Sequence, residues 1–400
     1  MPRISLRGGA NPALVAHVMV LLVAVVPGAM ATSVRSVYLI TTAHIDPFLA
    51  GSFNYASTLL GITFVYYAAR GHLDRLNPVV VSVLASVCAL AASLCVLSAL
   101  YSPLFLVGAT VFNALAQVGG SSIFLYDERY GPRGDADTGL YRTRLLLSVA
   151  WIVAPPLSFV LFWIGGFPAV VAATALFGAV SSTAMIMVSR TRSPSTGSGP
   201  GQAKPASGGK EGGLGFWPIF AIMVATACAN VLHSTNMPLY LIQVQHAPTF
   251  WPGLIMGAAA FVEVVVIALL PRLTKATSDA AVLWSGLVLG IVYFALLSVV
   301  HEPQIILACQ VLYGAHFAAT TVVCLPMLRR ALAGGTGSLA AQFNNASRIG
   351  GLTASALFAV LATPLGFYWI LTKLCLGVLL AALGLGVVRR IVTRRRAVEA

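Results

Sequence analysis

Apolar runs of roughly 20 residues, the length a helix needs to cross a bilayer, recur twelve times along the 400-residue chain, with short polar or Gly/Pro-containing stretches between them. They predict helices near 14–40, 47–69, 78–99, 103–126, 139–163, 167–189, 215–243, 251–271, 279–299, 303–328, 337–363 and 366–388. The gaps alternate in charge. Arg3 and Arg7 precede the first helix, Arg70 and Arg75 follow the second, Arg129 and Arg133 the fourth, and Arg190, Arg192, Lys204 and Lys210 the sixth. Arg272 and Lys275 follow the eighth, Arg329 and Arg330 the tenth, and Arg389, Arg390, Arg394, Arg395 and Arg396 the twelfth. These 19 residues share one side of the membrane, and none of the 24 Lys and Arg falls in the six loops of the other side. An excess of Lys and Arg in short loops marks the cytoplasmic face, so both termini are expected there. The remaining five, Arg35, Arg142, Arg144, Arg348 and Lys373, lie within helices.

One long polar stretch interrupts this rhythm. From Arg190 to Gly213 the chain is rich in Gly, Ser and Pro and has no apolar period, which reads as a flexible cytoplasmic linker. It divides the chain into a six-helix half at 1–189, a linker at 190–214 and a second six-helix half with a basic tail at 215–400. The halves echo one another at a shift of about 200 residues: Ser36-Val37-Tyr38-Leu39-Ile40 closes helix 1 as Met237-Pro238-Leu239-Tyr240-Leu241-Ile242 closes helix 7, and Val111-Phe112-Asn113-Ala114 matches Val311-Leu312-Tyr313-Gly314. The start, with Arg3, Arg7 and Ala29-Met30-Ala31, imitates a secretory signal and its cleavage site, but its apolar run is too long and its loss would break the charge sorting. It is read as helix 1.

Composition agrees with an all-α membrane protein. With 58% hydrophobic and 9% charged residues the chain lies far from the soluble norm of about a quarter charged. The net charge of +13 is scattered through loops beside the spans, where lipid headgroups rather than nucleic acid are the natural partners. The six cysteines, Cys88, Cys95, Cys228, Cys309, Cys324 and Cys375, have no metal-ligand or redox spacing and read as packing residues.

Four segments carry a family resemblance. They are Arg142 to Leu157 in helix 5, with Arg144, Ser148, Trp151, Pro155 and Pro156; Asn236-Met237-Pro238-Leu239-Tyr240 in helix 7; Gly253 to Glu263 in helix 8; and Phe343-Asn344-Asn345 with Arg348 in helix 11. With these the chain resembles the major facilitator superfamily and, within it, the bacterial sugar efflux transporters. The resemblance implies two pseudo-symmetric six-helix bundles with a substrate site between them at mid-depth, and export of sugars or small glycosides in exchange for protons. The helix 5 segment is also close to the antiporter motif of exporters, although Ala154 stands where that motif usually has Gly. The loop after helix 2, Gly71-His72-Leu73-Asp74-Arg75, keeps the Gly, Asp and Arg of the family's conformational latch in shortened form. In helix 4, Asn113 and Gln117 stand where many proton-driven relatives have a buried Arg.

Charges inside a bilayer are costly and are functional candidates by default. Glu263 is the acidic residue well inside a span. If helix 8 meets helix 5 across the interface and helix 11 lies beside helix 8, Glu263 can exchange between Arg144 and Arg348 and carry the coupled proton; a static ion pair is the competing reading. Arg35 has Asp46 in the following loop as its expected partner, as an outer gate or a surface pair. Pro155 and Pro156 remove two backbone donors and must loosen helix 5, with or without a gating role.

Sugars need paired hydrogen-bonding groups and flat rings. Candidates are Asn54, Asn113, Gln117, Asn230, His233, Asn236, Gln310, Tyr313, His316, Gln342 and Asn345, with Trp151 as a stacking platform. Each alone reads equally as glue between helices; their concentration on helices 2, 4, 5, 7, 10 and 11 favours a pathway. His233 and His316 lack a third ligand for a metal. No nucleophile with its base, paired carboxylate, phosphate loop or cofactor motif appears, so an enzyme is not expected. The sequence therefore predicts a transporter of the inner membrane exporting a small polar solute, sugar or glycoside, sufficient as a monomer. Drug or metabolite export, and a transporter-like sensor or scaffold without transport, are the competing functions.

Overall fold

The computed structural model describes residues 12–69, 77–119, 123, 126, 130, 136–191, 215–331, 336–365, 372–384 and 387. Helices α1 (Pro12–Val37), α2 (Pro47–Ala69), α3 (Pro78–Ser98) and α4 (Phe105–Ala116) are followed by one long helical stretch, Ala136–Thr191. Within it Gly165 and Gly166 leave helical geometry, Gly166 with φ of 65°, ahead of Pro168. A positive φ costs glycine nothing, so the chain reverses there. The stretch is two helices, α5 (136–164) and α6 (167–191). Then come α7 (Phe216–Leu239), α8 (Phe250–Ala276), α9 (Asp279–Leu297), α10 (Pro303–Ala331), α11 (Thr336–Leu365) and α12 (Thr372–Gly384).

Local chemistry sets several helix starts. Asn77 accepts from the amide of Val79 at 3.0 Å just before Pro78, and Ser278 accepts from Ala281 at 3.1 Å. Asp46 Oδ1 accepts from Phe48 at 2.8 Å ahead of Pro47. Side chains at these positions satisfy amides that the first turn leaves without carbonyl partners. Among the described residues nine helical stretches are long and apolar enough to cross a membrane, the Leu145–Arg190 stretch holding two passes, and α4 and α12 are shorter apolar helices. Large side chains such as Leu84, Val87, Leu104, Trp163 and Val360 face outward, as a lipid solvent permits.

The sequence echo has a structural counterpart. Helix α1 runs into a π-helical turn, Tyr38–Thr42, and α7 into Tyr240–Val244. Ala43 bonds back to Tyr38 at 3.0 Å and Gln245 to Tyr240 at 3.1 Å; Ile45 to Leu39 and Ala247 to Leu241, both at 2.8 Å. His44 and His246 follow, each with φ of 51°. The two tyrosines also act alike: Tyr38 donates to the Leu97 carbonyl at the end of α3, at 2.7 Å, and Tyr240 bonds His301 Nδ1 beyond α9, at 2.9 Å. The same eight-residue device, Tyr38–Ile45 and Tyr240–Ala247, thus pins helix 1 to helix 3 and helix 7 to helix 9.

Short connections make successive helices antiparallel. The ends joined by the turns 43–46 and 245–249 are called distal here, and the ends carrying the Arg- and Lys-bearing connections basic. The first and last six helices meet through α5 on α8, α2 on α11 and α1 on α7. Helix α11 packs against α2 and α7. The expectation that it lies beside helix 8 is corrected: α10 and α5 flank α8 instead.

Candidate functional site

The seam between α5 and α8 is built on small residues against prolines. A methyl group added to Gly253 would lie 2.9 Å from Pro155 O, the Cα of Pro156 and the Cβ of Phe159; one added to Gly257 would lie 2.7 Å from Pro156 Cγ and 3.0 Å from Ile152 O. Two glycines four apart form one flat face, and backbones approach across it. Pro155 and Pro156 stand on this seam within a helix that continues past them. Ser158 Oγ donates to the carbonyl of Pro155 at 2.9 Å.

Toward the basic end the same seam turns polar. Glu263, 6% exposed, accepts a 3.0 Å hydrogen bond from Ser148 Oγ. The carboxylate is on the last six helices and the hydroxyl on the first six. Arg144 begins this turn of α5, one helical turn before Ser148; its side chain, like that of Arg142, lies outside the described residues. Gly71, Asp74 and Arg75 of the expected latch also lie outside them, as do the linker beyond Thr191 and the basic tail.

The second seam, α2 on α11, follows the same order. Near the distal end Gly51 packs directly on Ala359, where an added methyl would come within 2.6 Å of its Cα and Cβ. Deeper, Arg348 Nη1 donates to the Gly61 carbonyl at 3.2 Å. Gln117 lies over Gly61 and donates to Ser57 O at 3.0 Å. Arg348 is therefore joined to α2 in this arrangement, and the expected exchange of Glu263 onto it is corrected: the helix that carries Arg348 sits on the other seam.

Arg35 also departs from expectation. Its Nη1 donates to Asn113 Oδ1 at 2.9 Å and its Nη2 to Asn54 Oδ1 at 3.0 Å, and the guanidinium stands 5.0 Å from the Phe53 ring centroid. Asp46 is exposed and caps α2 instead, so the Arg35–Asp46 pair is not formed. Arg35, two turns before the end of the π-turn, Asn54 in α2 and Asn113 in α4 all lie roughly 10–12 Å from the distal ends of their helices, at 1.5 Å per residue.

In the last six helices Tyr313 donates a short hydrogen bond to Asn230 Oδ1. His233 and Gln310 go elsewhere. Tyr293 of α9 receives Gln310 Nε2 at 3.0 Å and lies 3.0 Å from His233 Nε2, all three buried, with the His233 ring tilted against Tyr313 at 4.8 Å. Gln310 uses its other N–H on Ile306 O at 2.9 Å. His316 Nδ1 donates to Gly286 O at 2.8 Å. Placing these three as cavity-lining groups is corrected: α9 packs against α10, and the polar groups tie it there. Trp151 packs half-buried against Val26, Ala29, Met30, Ala150 and Ala154. Asn236 is buried with its Oδ1 unpartnered among the described residues. Gln342 is half-buried and Asn345 exposed. Among the described residues no group of three His, Cys, Asp or Glu could hold a metal.

Several residues of the seams were not among the expected site residues: Ser148, Gly51, Gly61, Gly253, Gly257, and Phe53 beneath Arg35. Gly253-Leu254-Ile255-Met256-Gly257 carried a legible signal, the small-x-x-x-small spacing of close helix pairs. For Gly51, Gly61 and Phe53 nothing local distinguishes them from neighbours in an apolar helix.

The chain is 22% identical over 353 residues to sugar efflux transporter A of Dickeya chrysanthemi, covering 84% of this chain and 86% of that protein. It is 22% identical over 342 residues to sugar efflux transporter B of Salmonella typhimurium and to sugar efflux transporter C of Escherichia coli, with the same coverage. No protein-family model matches it. Among solved structures, a bacterial homologue of the iron transporter ferroportin in an inward-facing state superposes with a TM-score of 0.71 at 12% identity, over 94% of this chain and 98% of that one. The nucleoside transporter NupG gives 0.66 at 12% identity, over 94% and 99%. The chain is a multi-pass, all-α membrane protein with the fold of these transporters, similar in sequence to sugar efflux transporters.

Proposed function

We propose that this transporter exports sugars or small glycosides across the inner membrane in exchange for protons, by alternating access between 1–189 and 215–400, with 190–214 as the link. Both termini and the basic end face the cytoplasm in this reading, and a monomer suffices. The observation that carries it is the buried Glu263–Ser148 contact on a seam between the halves. An ionised carboxylate there is stabilised by donors from the opposite half. Parting the seam while the charge persists takes that donor away, and a buried charge that loses a hydrogen-bond donor in a low-dielectric interior is disfavoured. A proton on Glu263 removes the charge and with it the penalty. Proton occupancy therefore sets when the halves can separate, which is what coupling requires.

The sugar assignment is supported by the relatives, named as sugar efflux transporters over 84% of the chain, and by the amide-bearing sites Asn54–Asn113 and Asn230–Tyr313 at helices that approach the opposite half. The test is transport of radiolabelled lactose, glucose and a thio-galactoside by protein in liposomes, with and without a proton gradient. Gradient-driven movement is expected, and Glu263→Gln is expected to keep sugar counterflow while losing its dependence on pH. Unchanged pH dependence in that variant would sink the coupling role. Absence of movement for every sugar would favour a drug or metabolite as cargo.

A further inference from the structure

Arg35 places a positive charge about 10 Å inside the distal helix ends, and both of its hydrogen-bond acceptors are neutral amides. Among the described residues no carboxylate reaches it, and Asp46 is committed to the start of α2. Amide oxygens orient a guanidinium without neutralising it. Phe53 adds a favourable ring face at 5.0 Å, but a quadrupole does not cancel a charge either. The Nε–H is buried without an acceptor, and each terminal nitrogen carries a second N–H beyond the one given to Asn113 or Asn54.

Helix cohesion does not require this arrangement. The echo of Asn113 in the second half is Tyr313, and there α10 is tied to α7 by a neutral phenol–amide hydrogen bond to Asn230. The first half instead sets a cation against Asn113, at the desolvation cost that accompanies an uncompensated charge in a bilayer. Such a charge is stable when a mobile anion shares its site for part of the cycle. Access also has a direction. Gly51 against Ala359 closes the α2–α11 seam one turn distal to Asn54, so along this seam Arg35 is open to approach only from the deeper, basic side.

We propose that Arg35, oriented by Asn54 and Asn113 and backed by Phe53, is a carboxylate-binding subsite of the transport cavity, and that the preferred cargo is a sugar acid. The inference rests on the sugar reading above. One guanidinium without a second cation among its contacts matches the single charge of a carboxylate rather than a phosphate dianion. Its terminal N–H groups can donate to both carboxylate oxygens, the strong charge-assisted geometry. A neutral sugar offers the same site only hydroxyl acceptors.

The test compares binding of glucuronate, its uncharged analogue glucuronamide, and glucose to the purified full-length transporter by calorimetry. Glucuronate is expected to bind at least about tenfold more tightly than glucuronamide, a difference of about 1.4 kcal/mol. Arg35→Gln should abolish the preference for glucuronate over glucuronamide; Arg35→Lys should retain part of it. Equal binding of acid and amide by the unmodified protein overturns the proposal without any variant. An equal loss for all three ligands in Arg35→Gln overturns it too, as a purely structural role. Phenyllactate, a carboxylate without a sugar ring, separates the two readings: Arg35-dependent binding of it with no sugar bound keeps the carboxylate subsite and refutes the sugar cargo, whereas no binding of any of the four refutes both.

Discussion

Tyr293, His233 and Gln310 form a closed exchange of donors and acceptors at the centre of the last six helices. The phenol accepts a hydrogen bond from Gln310 Nε2 and is hydrogen-bonded to His233 Nε2. Removing the hydroxyl takes a buried hydrogen bond from His233 Nε2 and one from Gln310 Nε2, at the cost of about 1–3 kcal/mol. Tyr293→Phe should therefore lower the thermal midpoint in detergent while leaving the substrate KM unchanged, and a rise in KM without loss of stability would return these residues to the pathway. The residue types were visible from the sequence as a set of polar side chains at helical spacing. Their division into glue and site was not, because Asn230 and His233 are one turn apart on α7 yet one meets Tyr313 and the other meets α9. Arg35 shows the same limit: Asp46 was the nearest opposite charge along the chain, yet the partner in space is the neutral amide of Asn113, far away in sequence.

At the level of the helix, the α5–α8 seam depends on Gly253 and Gly257 lying flat against Pro155 and Pro156. Prolines have no N–H to shield and present a broad, rigid ring, while glycines present bare backbone, so the pair slides with little interlocking. A larger side chain at the contact must displace backbone. Gly257→Leu is expected to destabilise the protein by about 1–3 kcal/mol, as overpacking does, and to slow transport more than it lowers the thermal midpoint predicts; Gly257→Ala should show the same trend more weakly. Comparing initial transport rates at matched folded protein checks this, and a normal rate in Gly257→Leu would exclude the seam from the working cycle. The prolines were legible as an interruption of helix 5. What they face was not, since their partners are on a helix about 100 residues later.

Across the whole molecule, both seams are apolar and tight toward the distal end and polar at greater depth, with Ser148–Glu263 on one and Arg348–Gly61 on the other. The two halves therefore pack closely together distally in this arrangement. Gly51→Leu should wedge the α2–α11 seam apart, and spin labels at the distal ends of these helices should report a longer distance; an unchanged distance would show that the contact does not govern opening. The chain by itself determined the all-α class, its apolar helices and the repeat of the Tyr38 turn at Tyr240, because hydrophobic length and sequence echoes are local or periodic properties. Tertiary structure alone decided which helices cross between the halves, that Arg348 reaches α2 and not Glu263, and that Arg35 is held by amides, because in a bilayer apolar helix faces look alike to one another and partner choice rests on close backbone fit and on a few polar contacts far apart in sequence.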